Sequence, residues 1–343
     1  MTSQLRFGVL GLTHDHIWDH LPDLKTEEGV ELVSAADPHL ALRERCADEF
    51  GCAVYERYED VWADDSLDGV FIYADNATGA ELAIAAAQAG RHLLIEKPMA
   101  SDLESADTVL VQARQAGVRV MVNWPFAWWP QLQHALRLAN SGDVGEVWQV
   151  RYRAAHEGPR EMGCSPYFCD WLYDPARNGA GGALTDYCCY GALLARTVIG
   201  LPSRVSGTAG RFVKQDIEVE DNAILVMTYP HALAVSEGSW THIGKLGAYV
   251  TMIFGERGTL LIEPRDGGRL LRADPDHPEG VAVPVPEAPP HLRNATAHFA
   301  HGLRTGEAFC QLCDDRLCRD TQEILEAGLI SAEEGREVSL PLK

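Results

Sequence analysis

The sequence has no long apolar run and little positive charge. No window of its 343 residues approaches the roughly 20 apolar residues that a membrane helix needs, so we expect no membrane segment. Only 29 basic residues stand against 50 acidic ones, which gives a formal net charge of -21. Nucleic-acid binding needs clustered lysine and arginine, so this composition argues against a nucleic-acid partner. The acidity is instead typical of a surface that favours solubility.

The start of the chain also lacks the pattern of a secretion signal, since residues 1–4 lead directly into a strand-like segment. We therefore expect a cytoplasmic protein. Its nine cysteines, an odd number, fit reduced thiols better than a disulfide framework. A structural zinc site usually needs two close ligand pairs and the chain shows one, so we expect no metal there. The cysteines concerned are Cys310, Cys313 and Cys318, with Cys164 or Cys169 as a fourth ligand.

Length and patterning predict two domains, which we place at 1–123 and 124–343. The first third alternates strand and helix patterns, and six strands joined by helices indicate a doubly wound (Rossmann) parallel sheet of the α/β class. Right-handed crossovers then bring the strand ends to one edge. The predicted strands are Leu5–Leu10, Val30–Ala36, Ala53–Tyr55, Val70–Tyr73, His92–Ile95 and Val118–Val122.

The second domain shows strand patterns with few helices among them. This predicts an α+β domain with a large, open, mostly antiparallel sheet. The strand-like runs are Val147–Ala155, Ser203–Phe212, Ala223–Tyr229, Ala232–Ser239, Tyr249–Phe254 and Gly258–Glu263.

The turn after the first strand matches a dinucleotide fingerprint in part. Gly11 is present, but the two further glycines of the fingerprint are replaced by Thr13 and His16. Gly11 still permits a tight turn, and the following helix offers free N–H groups to a pyrophosphate, with the Thr13 hydroxyl beside them. The cofactor contacts expected in this turn are Gly11, Leu12, Thr13 and His14.

Asp37 closes the second strand, where an acidic side chain binds the adenosine ribose hydroxyls. Pro38 and His39 follow it, and Arg43 lies a turn into the next helix, so no arginine stands ready for a 2′-phosphate. This favours NAD as the cofactor. Asp37 has an alternative role as the N-cap of the next helix.

Lys97 follows the fifth strand within Glu96-Lys97-Pro98. A lysine at the carboxyl end of a parallel strand projects into the crevice where such sheets bind ligands. Asp186 and Tyr190 come later, after a glycine-rich loop, and their spacing of four places both on one face of a helix. A hydride transfer needs a group that moves the hydroxyl proton and a cation that favours the alkoxide. We assign Lys97 to polarise the reacting oxygen, Tyr190 as its acid or base partner and Asp186 to position them.

These landmarks resemble the glucose-fructose oxidoreductase and inositol dehydrogenase (Gfo/Idh/MocA) family. The resemblance rests on Glu96-Lys97-Pro98, on Asp37, on a G-G-x-x-x-D-x-x-x-Y pattern within 179–190, and on the ending 331–341. It implies an NAD-dependent dehydrogenase or reductase acting on a sugar, polyol or related cyclic alcohol. It also implies a homodimer or homotetramer assembled through the second-domain sheet.

Two segments depart from the family pattern. Residues 74–79 keep only Asn76 of the usual threonine-proline-asparagine run, and we expect Asn76, Glu96 and Lys97 to complete the cofactor contacts. Aromatic residues fill 124–129 where many relatives carry an arginine; they stack on a sugar ring or form the hinge between domains. The expected substrate contacts, near predicted strand ends or the loop to Asp186, are His156, Tyr167, Trp171, Tyr187 and His242.

Other functions remain open at this point. Some relatives keep NAD bound and use transient oxidation for glycoside cleavage or epimerisation. A non-catalytic sensor on the same fold would not need Lys97, Asp186 and Tyr190 together. His14 and His16, with His20 nearby, also resemble the metal motif of barrel hydrolases, although the second half of the chain lacks the helices of a barrel.

Overall fold

The computed structural model describes residues 4–265 and 267–342, and it contains one six-stranded and one nine-stranded sheet. Residues 1–3, which carry part of the expectation about localisation, lie outside the described residues. Within the described ranges, no helix combines the length and the apolarity needed to cross a bilayer.

The first sheet has the order β3-β2-β1-β4-β5-β6 with all strands parallel, which confirms the predicted doubly wound fold. The chain order reverses between β1 and β4, so a crevice opens at their carboxyl ends. Its elements are β1 (Leu5–Leu10), α1 (Ile17–Thr26), β2 (Val30–Ala36), α2 (Leu40–Phe50), β3 (Ala53–Tyr55), α3 (Glu59–Trp62), β4 (Gly69–Ile72), α4 (Asn76–Gln88), β5 (His92–Glu96), α5 (Leu103–Ala116) and β6 (Val120–Asn123).

Local sequence explains where these elements begin and end. The strands β4 and β6 are buried at every position, as expected for a parallel sheet covered on both faces. Asp75 begins α4 by accepting a hydrogen bond from Thr78 N at 2.8 Å, and Asp102 begins α5 in the same way through Ser105 N. Both helices therefore begin shortly after the carboxyl ends of β4 and β5.

The second sheet has the order β14-β13-β12-β11-β7-β10-β9-β8-β15. Only the pair β7 and β10 is parallel, which confirms a mostly antiparallel sheet. The remaining elements are α6 (Pro130–Asn140), β7 (Val147–Ala155), α7 (Pro166–Leu172), α8 (Pro175–Asn178), α9 (Cys189–Val198), β8 (Arg204–Gly210), β9 (Asn222–Thr228), β10 (Leu233–Ser239), β11 (Tyr249–Gly255), β12 (Gly258–Ile262), β13 (Leu270–Asp274), β14 (His277–Val283), α10 (Ala295–Thr305), α11 (Asp315–Glu334) and β15 (Val338–Ser339).

The last third of the chain also contributes to the first sheet. Phe299 of α10 packs on Phe7 and Phe71, with ring centroids 5.4 and 5.7 Å away. Glu326 of α11 accepts a hydrogen bond from Leu103 N at 2.8 Å, at the start of α5. The division at residue 123 stays a prediction, and the first sheet takes part of its cover from beyond it.

Candidate active site

An ion pair at the crevice joins the end of β5 to the turn before α9. Lys97, directly after β5, is 4% exposed, and its Nζ lies 2.7 Å from Asp186 Oδ1 and 3.1 Å from the Asp186 carbonyl oxygen. Asp186 lies in a π-helical turn, Leu184–Cys188, that leads into α9. The sequence-predicted partnership of these two residues is therefore present as a direct contact.

The surroundings set the charge of this pair. Burial lowers the pKa of Lys97, but Asp186 outweighs burial and raises the pKa above that of a free lysine. Burial raises the pKa of Asp186, but Lys97 reverses this and leaves the pKa below its usual range. The second Asp186 oxygen accepts a hydrogen bond from Trp240 Nε1 at 3.2 Å. Lys97 is thus a cation at neutral pH, suited to stabilise negative charge on a neighbouring oxygen.

Tyr190 reaches the same lysine with its ring. Lys97 Nζ lies 5.0 Å from the Tyr190 ring centroid, within cation–π range. The ring packs edge to face on Phe126 and is stacked on Tyr152. Burial raises the pKa of Tyr190 well above that of a free tyrosine, so its phenol keeps its proton. Asp186 and Tyr190 both contact Lys97, with Asp186 in the π-helical turn and Tyr190 in the first turn of α9.

Three of the predicted substrate residues lie together beside Asp186. The His156 and Tyr187 rings are 5.1 Å apart at their centroids, and Tyr187 stacks on Tyr190. His242 N donates to the His156 carbonyl oxygen at 2.9 Å, and His242 Nε2 is buried without a hydrogen-bond partner among the described residues. Burial lowers the pKa of His156, which favours its neutral form. A polar and aromatic wall therefore adjoins the ion pair.

The first turn retains the tight geometry of a dinucleotide site. Gly11 has φ +91°, and a Cβ there would lie 2.4 Å from Ala74 N, so only glycine fits. Leu12 N donates to Asp37 Oδ2 at 2.7 Å, which places the carboxylate at the end of β2 against this turn. Asp37 does not cap α2, whose N-cap is His39. The turn and the carboxylate fit a dinucleotide, although two of the fingerprint glycines are missing.

A segment of the second domain covers this crevice. We call residues 165–178, which contain α7 and α8, the clasp. Its Tyr167 packs on His39 with ring centroids 5.0 Å apart, and its Trp171 packs on His14 at 5.4 Å. Tyr167 and Trp171, predicted as substrate contacts, thus lie against residues at the cofactor end.

Polar contacts fasten the clasp to the first domain. Ser165 N donates to Asp15 Oδ2 at 2.7 Å, and Asn76 Nδ2 donates to Asn178 Oδ1 at 2.9 Å. Arg177 pairs with Asp75 at 3.3 Å. All the residues predicted to contact the cofactor are buried: Gly11, Leu12, Thr13, His14, Asp37, Asn76, Glu96 and Lys97. With the clasp in this position, the Asp37 side chain is fully buried.

Glu220 is a further site residue that no sequence pattern indicated. Its Oε1 accepts hydrogen bonds from Gly182 N at 2.6 Å and Leu184 N at 2.8 Å. These amides begin the π-helical turn that carries Asp186, so Glu220 fixes that turn. Burial raises the pKa of Glu220 from 4.5 to about 7.

This raised pKa predicts a pH dependence of stability. Because the pKa is higher in the folded state, the stabilisation is complete below about 4.5 and is lost as the pH rises through about 7. The loss is on the order of 3 kcal/mol. The Glu220→Gln variant should lack this component, as urea denaturation of both proteins between pH 4.5 and 8 would show. Parallel stability curves would contradict the assignment.

Among the described residues, the cysteines considered for a zinc site make other contacts. Cys318 Sγ accepts a hydrogen bond from Trp124 Nε1 at 3.3 Å, and Cys310 N donates to His298 Nε2 at 2.9 Å. In the part of the chain that the structure describes, the potential metal ligands that converge include no cysteine.

Comparison with known proteins decides the family. Residues 5–124 match the profile described as an oxidoreductase family with an NAD-binding Rossmann fold, and residues 132–261 match the GFO/IDH/MocA C-terminal domain. The chain belongs to the Gfo/Idh/MocA family. The predicted resemblance is therefore confirmed, with both domains in the expected order.

Several Gfo/Idh/MocA proteins are similar to this chain. D-xylose 1-dehydrogenase (NADP(+)) 2 from Haloferax volcanii is 31% identical over 205 residues, and the match spans 60% of each protein. D-apiose dehydrogenase from Paraburkholderia graminis is 26% identical over 97% of this chain and 88% of its own length. The crystal structure of the WlbA dehydrogenase from Bordetella pertussis, in complex with NADH and UDP-GlcNAcA, has a TM-score of 0.82 at 20% identity and 99% coverage of both chains.

The Gfo/Idh/MocA architecture bears on the remaining alternatives. A barrel hydrolase needs a closed sheet of eight βα units, whereas this chain forms two open sheets. Neither this alternative nor an NAD-retaining glycosidase or epimerase is supported by the fold or by the relatives.

Proposed function

We propose that the protein is an NAD(H)-dependent oxidoreductase that transfers a hydride between nicotinamide and a carbinol or carbonyl carbon of a sugar, polyol or related cyclic alcohol. The contact between Lys97 and Asp186 carries this proposal, because it places a permanent cation at the crevice edge of an NAD-binding fold. Relatives named as xylose and apiose dehydrogenases support a sugar-like substrate.

Each side chain near the reacting oxygen has a separate role in this proposal. Bound NAD would supply the hydride acceptor. Lys97 stabilises the alkoxide that develops on the substrate oxygen, and Asp186 keeps the ammonium charged and oriented. Tyr190 is our candidate acid: in the reduction direction its phenol donates a proton to the substrate oxygen as hydride reaches the carbonyl carbon, and in the oxidation direction the same phenol oxygen takes the hydroxyl proton back. Tyr187, His156 and Trp240 line the side of the ion pair that faces the second sheet.

The choice of NAD over NADP rests on Asp37. Its carboxylate would bind ribose hydroxyls and would repel a 2′-phosphate. Arg43 lies nearby, but its guanidinium already donates to the Asp37 carbonyl oxygen at 2.6 Å. We expect Asp37→Ser to raise the ratio of kcat/KM for NADP+ over NAD+ by about tenfold or more. Steady-state kinetics with both cofactors would measure the ratio. An unchanged ratio would contradict the assignment of Asp37 to the cofactor site.

The clasp should limit cofactor entry. The Arg177→Ala variant removes the contacts with Asp75 and Asp170, so NAD+ should associate faster, by up to about fivefold for a partly exposed ion pair. Stopped-flow tryptophan fluorescence would report the rate, and Arg204→Ala, at the surface pair with Glu337, is the control. Equal rates in all three proteins would show that Arg177 does not restrain entry.

The open face of the second sheet supports the proposed homodimer or homotetramer. Ile224 and Val226 alternate outward on β9 and are 45% and 36% exposed, and Trp148 on β7 is 44% exposed. Burying these apolar side chains against a second copy would remove them from water. Light scattering of the purified protein would test for the assembly.

NADH formation across a panel of sugars, polyols and glycosides tests the proposed function directly. We expect NADH from at least one sugar or polyol. Glycoside cleavage or epimerisation without net NADH would instead assign the NAD-retaining alternative. A chain that binds no NAD+ would overturn the proposal.

A further inference from the structure

Two imidazoles occupy the turn where a dinucleotide fingerprint places small residues. His16 stands at a fingerprint glycine and is the N-cap of α1, and His14 lies two residues before it. One ligand atom each from His14, His16 and Glu96 lie within 4.8 Å of one another. Across residues 4–265 and 267–342, this is the single group of three or more such side chains that converges closely enough to hold an ion.

The donor atoms suit a divalent transition metal. His14 Nδ1 accepts a hydrogen bond from His16 N at 3.2 Å, so this ring nitrogen carries a lone pair. Two imidazole nitrogens and one carboxylate oxygen form a ligand set that Zn²⁺, Fe²⁺ and Co²⁺ accept.

Neighbouring residues orient this group. Glu96 Oε1 lies 2.9 Å from His16 Nδ1, and Glu96 Oε2 accepts a hydrogen bond from Asn123 Nδ2 at 2.7 Å. Trp128 Nε1 donates to Asn123 Oδ1 at 3.0 Å and so fixes the amide. Such outer contacts are typical of metal sites, where they set the direction of the ligands.

His20 adds an independent observation. It lies one turn further along α1, its Nε2 is 3.1 Å from Asn123 Nδ2, and its Nδ1 is buried without a hydrogen-bond partner among the described residues. This third imidazole near Glu96 has no use in hydride transfer as we derive it. The cluster is therefore richer in metal-binding groups than a cofactor turn requires.

We propose that His14, His16 and Glu96 bind one divalent transition-metal ion between the first turn and the end of β5. The ion would replace the contact of His16 with Glu96 and the hydrogen bond from His16 N to His14 Nδ1, and each imidazole would supply one lone pair. Three protein ligands leave further coordination positions open, which take an oxygen ligand such as water. The site does not depend on the proposed function, because metal binding can be measured without substrate or NAD.

Cobalt titration of the intact chain tests the site. Chelator-treated protein should bind one Co²⁺ per chain with visible d–d absorption, and elemental analysis of protein purified without chelator should find one transition metal. His14→Gln, His16→Gln and Glu96→Gln should each weaken Co²⁺ binding by about 100-fold or more. His134→Gln and His277→Gln remove exposed or partly exposed imidazoles on α6 and β14 and should bind as the parent does.

Circular dichroism of each variant separates lost binding from lost folding. Absence of Co²⁺ absorption in the folded parent, or equal affinity in a folded His16→Gln variant, would overturn the metal site. NADH formation by the metal-free chain would leave the proposed function standing whatever the titration shows. A chain that binds Co²⁺ in the titration but forms no NADH in its metal-free form would keep the site and overturn the function.

Discussion

Replacing Lys97 with alanine should lower kcat by about 10³-fold, the cost of removing a preorganised group that stabilises developing charge. The crevice contacts assigned to NAD at Gly11 and Asp37 are separate from the Lys97 side chain, so NAD+ binding should stay measurable. Steady-state NADH formation with the best substrate of the panel gives kcat, and a fluorescence titration gives the NAD+ affinity. The expected result is lost turnover with retained binding.

The control for this experiment is Lys25→Ala. Lys25 lies on the surface of α1, where its Nζ donates to the Glu49 carbonyl oxygen at 3.1 Å. This variant should turn over at the parental rate. Denaturation curves are needed for both variants, since Lys97→Ala leaves Asp186 buried without its cation. A folded Lys97→Ala protein with parental kcat would refute the mechanism.

The Asp186→Asn variant should lose about 3–5 kcal/mol of unfolding free energy, because it leaves the Lys97 ammonium buried and unpaired. Burial lowers the pKa of Lys97, so without the carboxylate this pKa should fall below its value in the parent. The raised pKa in the parent means that the stabilisation of Lys97 is lost only as the pH rises through it. In the variant, activity should therefore disappear at a lower pH on the alkaline side.

Urea denaturation and a pH profile of kcat measure these two effects. Asp216→Asn is the control, since Asp216 pairs with Arg160 at the surface, where an ion pair contributes little to stability. A structural role alone would lower stability without moving the alkaline limb of the profile. An Asp186→Asn protein with parental stability and an unmoved profile would contradict the assigned role.

The first sheet and the pairing of Lys97 with Asp186 could be predicted because short sequence patterns mark them. Each strand is a short apolar run, and the strand end at Lys97 is marked by the following proline. The spacing of Asp186 and Tyr190 needed only the assumption of one helical face. The strand boundaries differ from the prediction by one or two residues. The sixth strand, predicted to end at Val122, ends at Asn123, whose amide donates a hydrogen bond to Glu96.

Other site residues could not be predicted because their partners are distant in sequence. Trp240 and Glu220 reach the turn around Asp186 from beyond β10 and from before β9, and no motif marks either. Tyr167 and Trp171 were expected at the substrate because they lie in the loop that leads to Asp186. Their position against the first domain follows from the clasp, which Asp15 fastens at Ser165.

The position of α10 late in the chain delays the covering of the first sheet during synthesis. The strands that carry Phe7 and Phe71 leave the ribosome early, but Phe299, which packs on both rings, is made about 175 residues after the last strand of that sheet. At 5–20 residues per second, the apolar patch stays uncovered for roughly 10 to 35 s. The nascent chain thus exposes an apolar surface that the folded protein covers with α10.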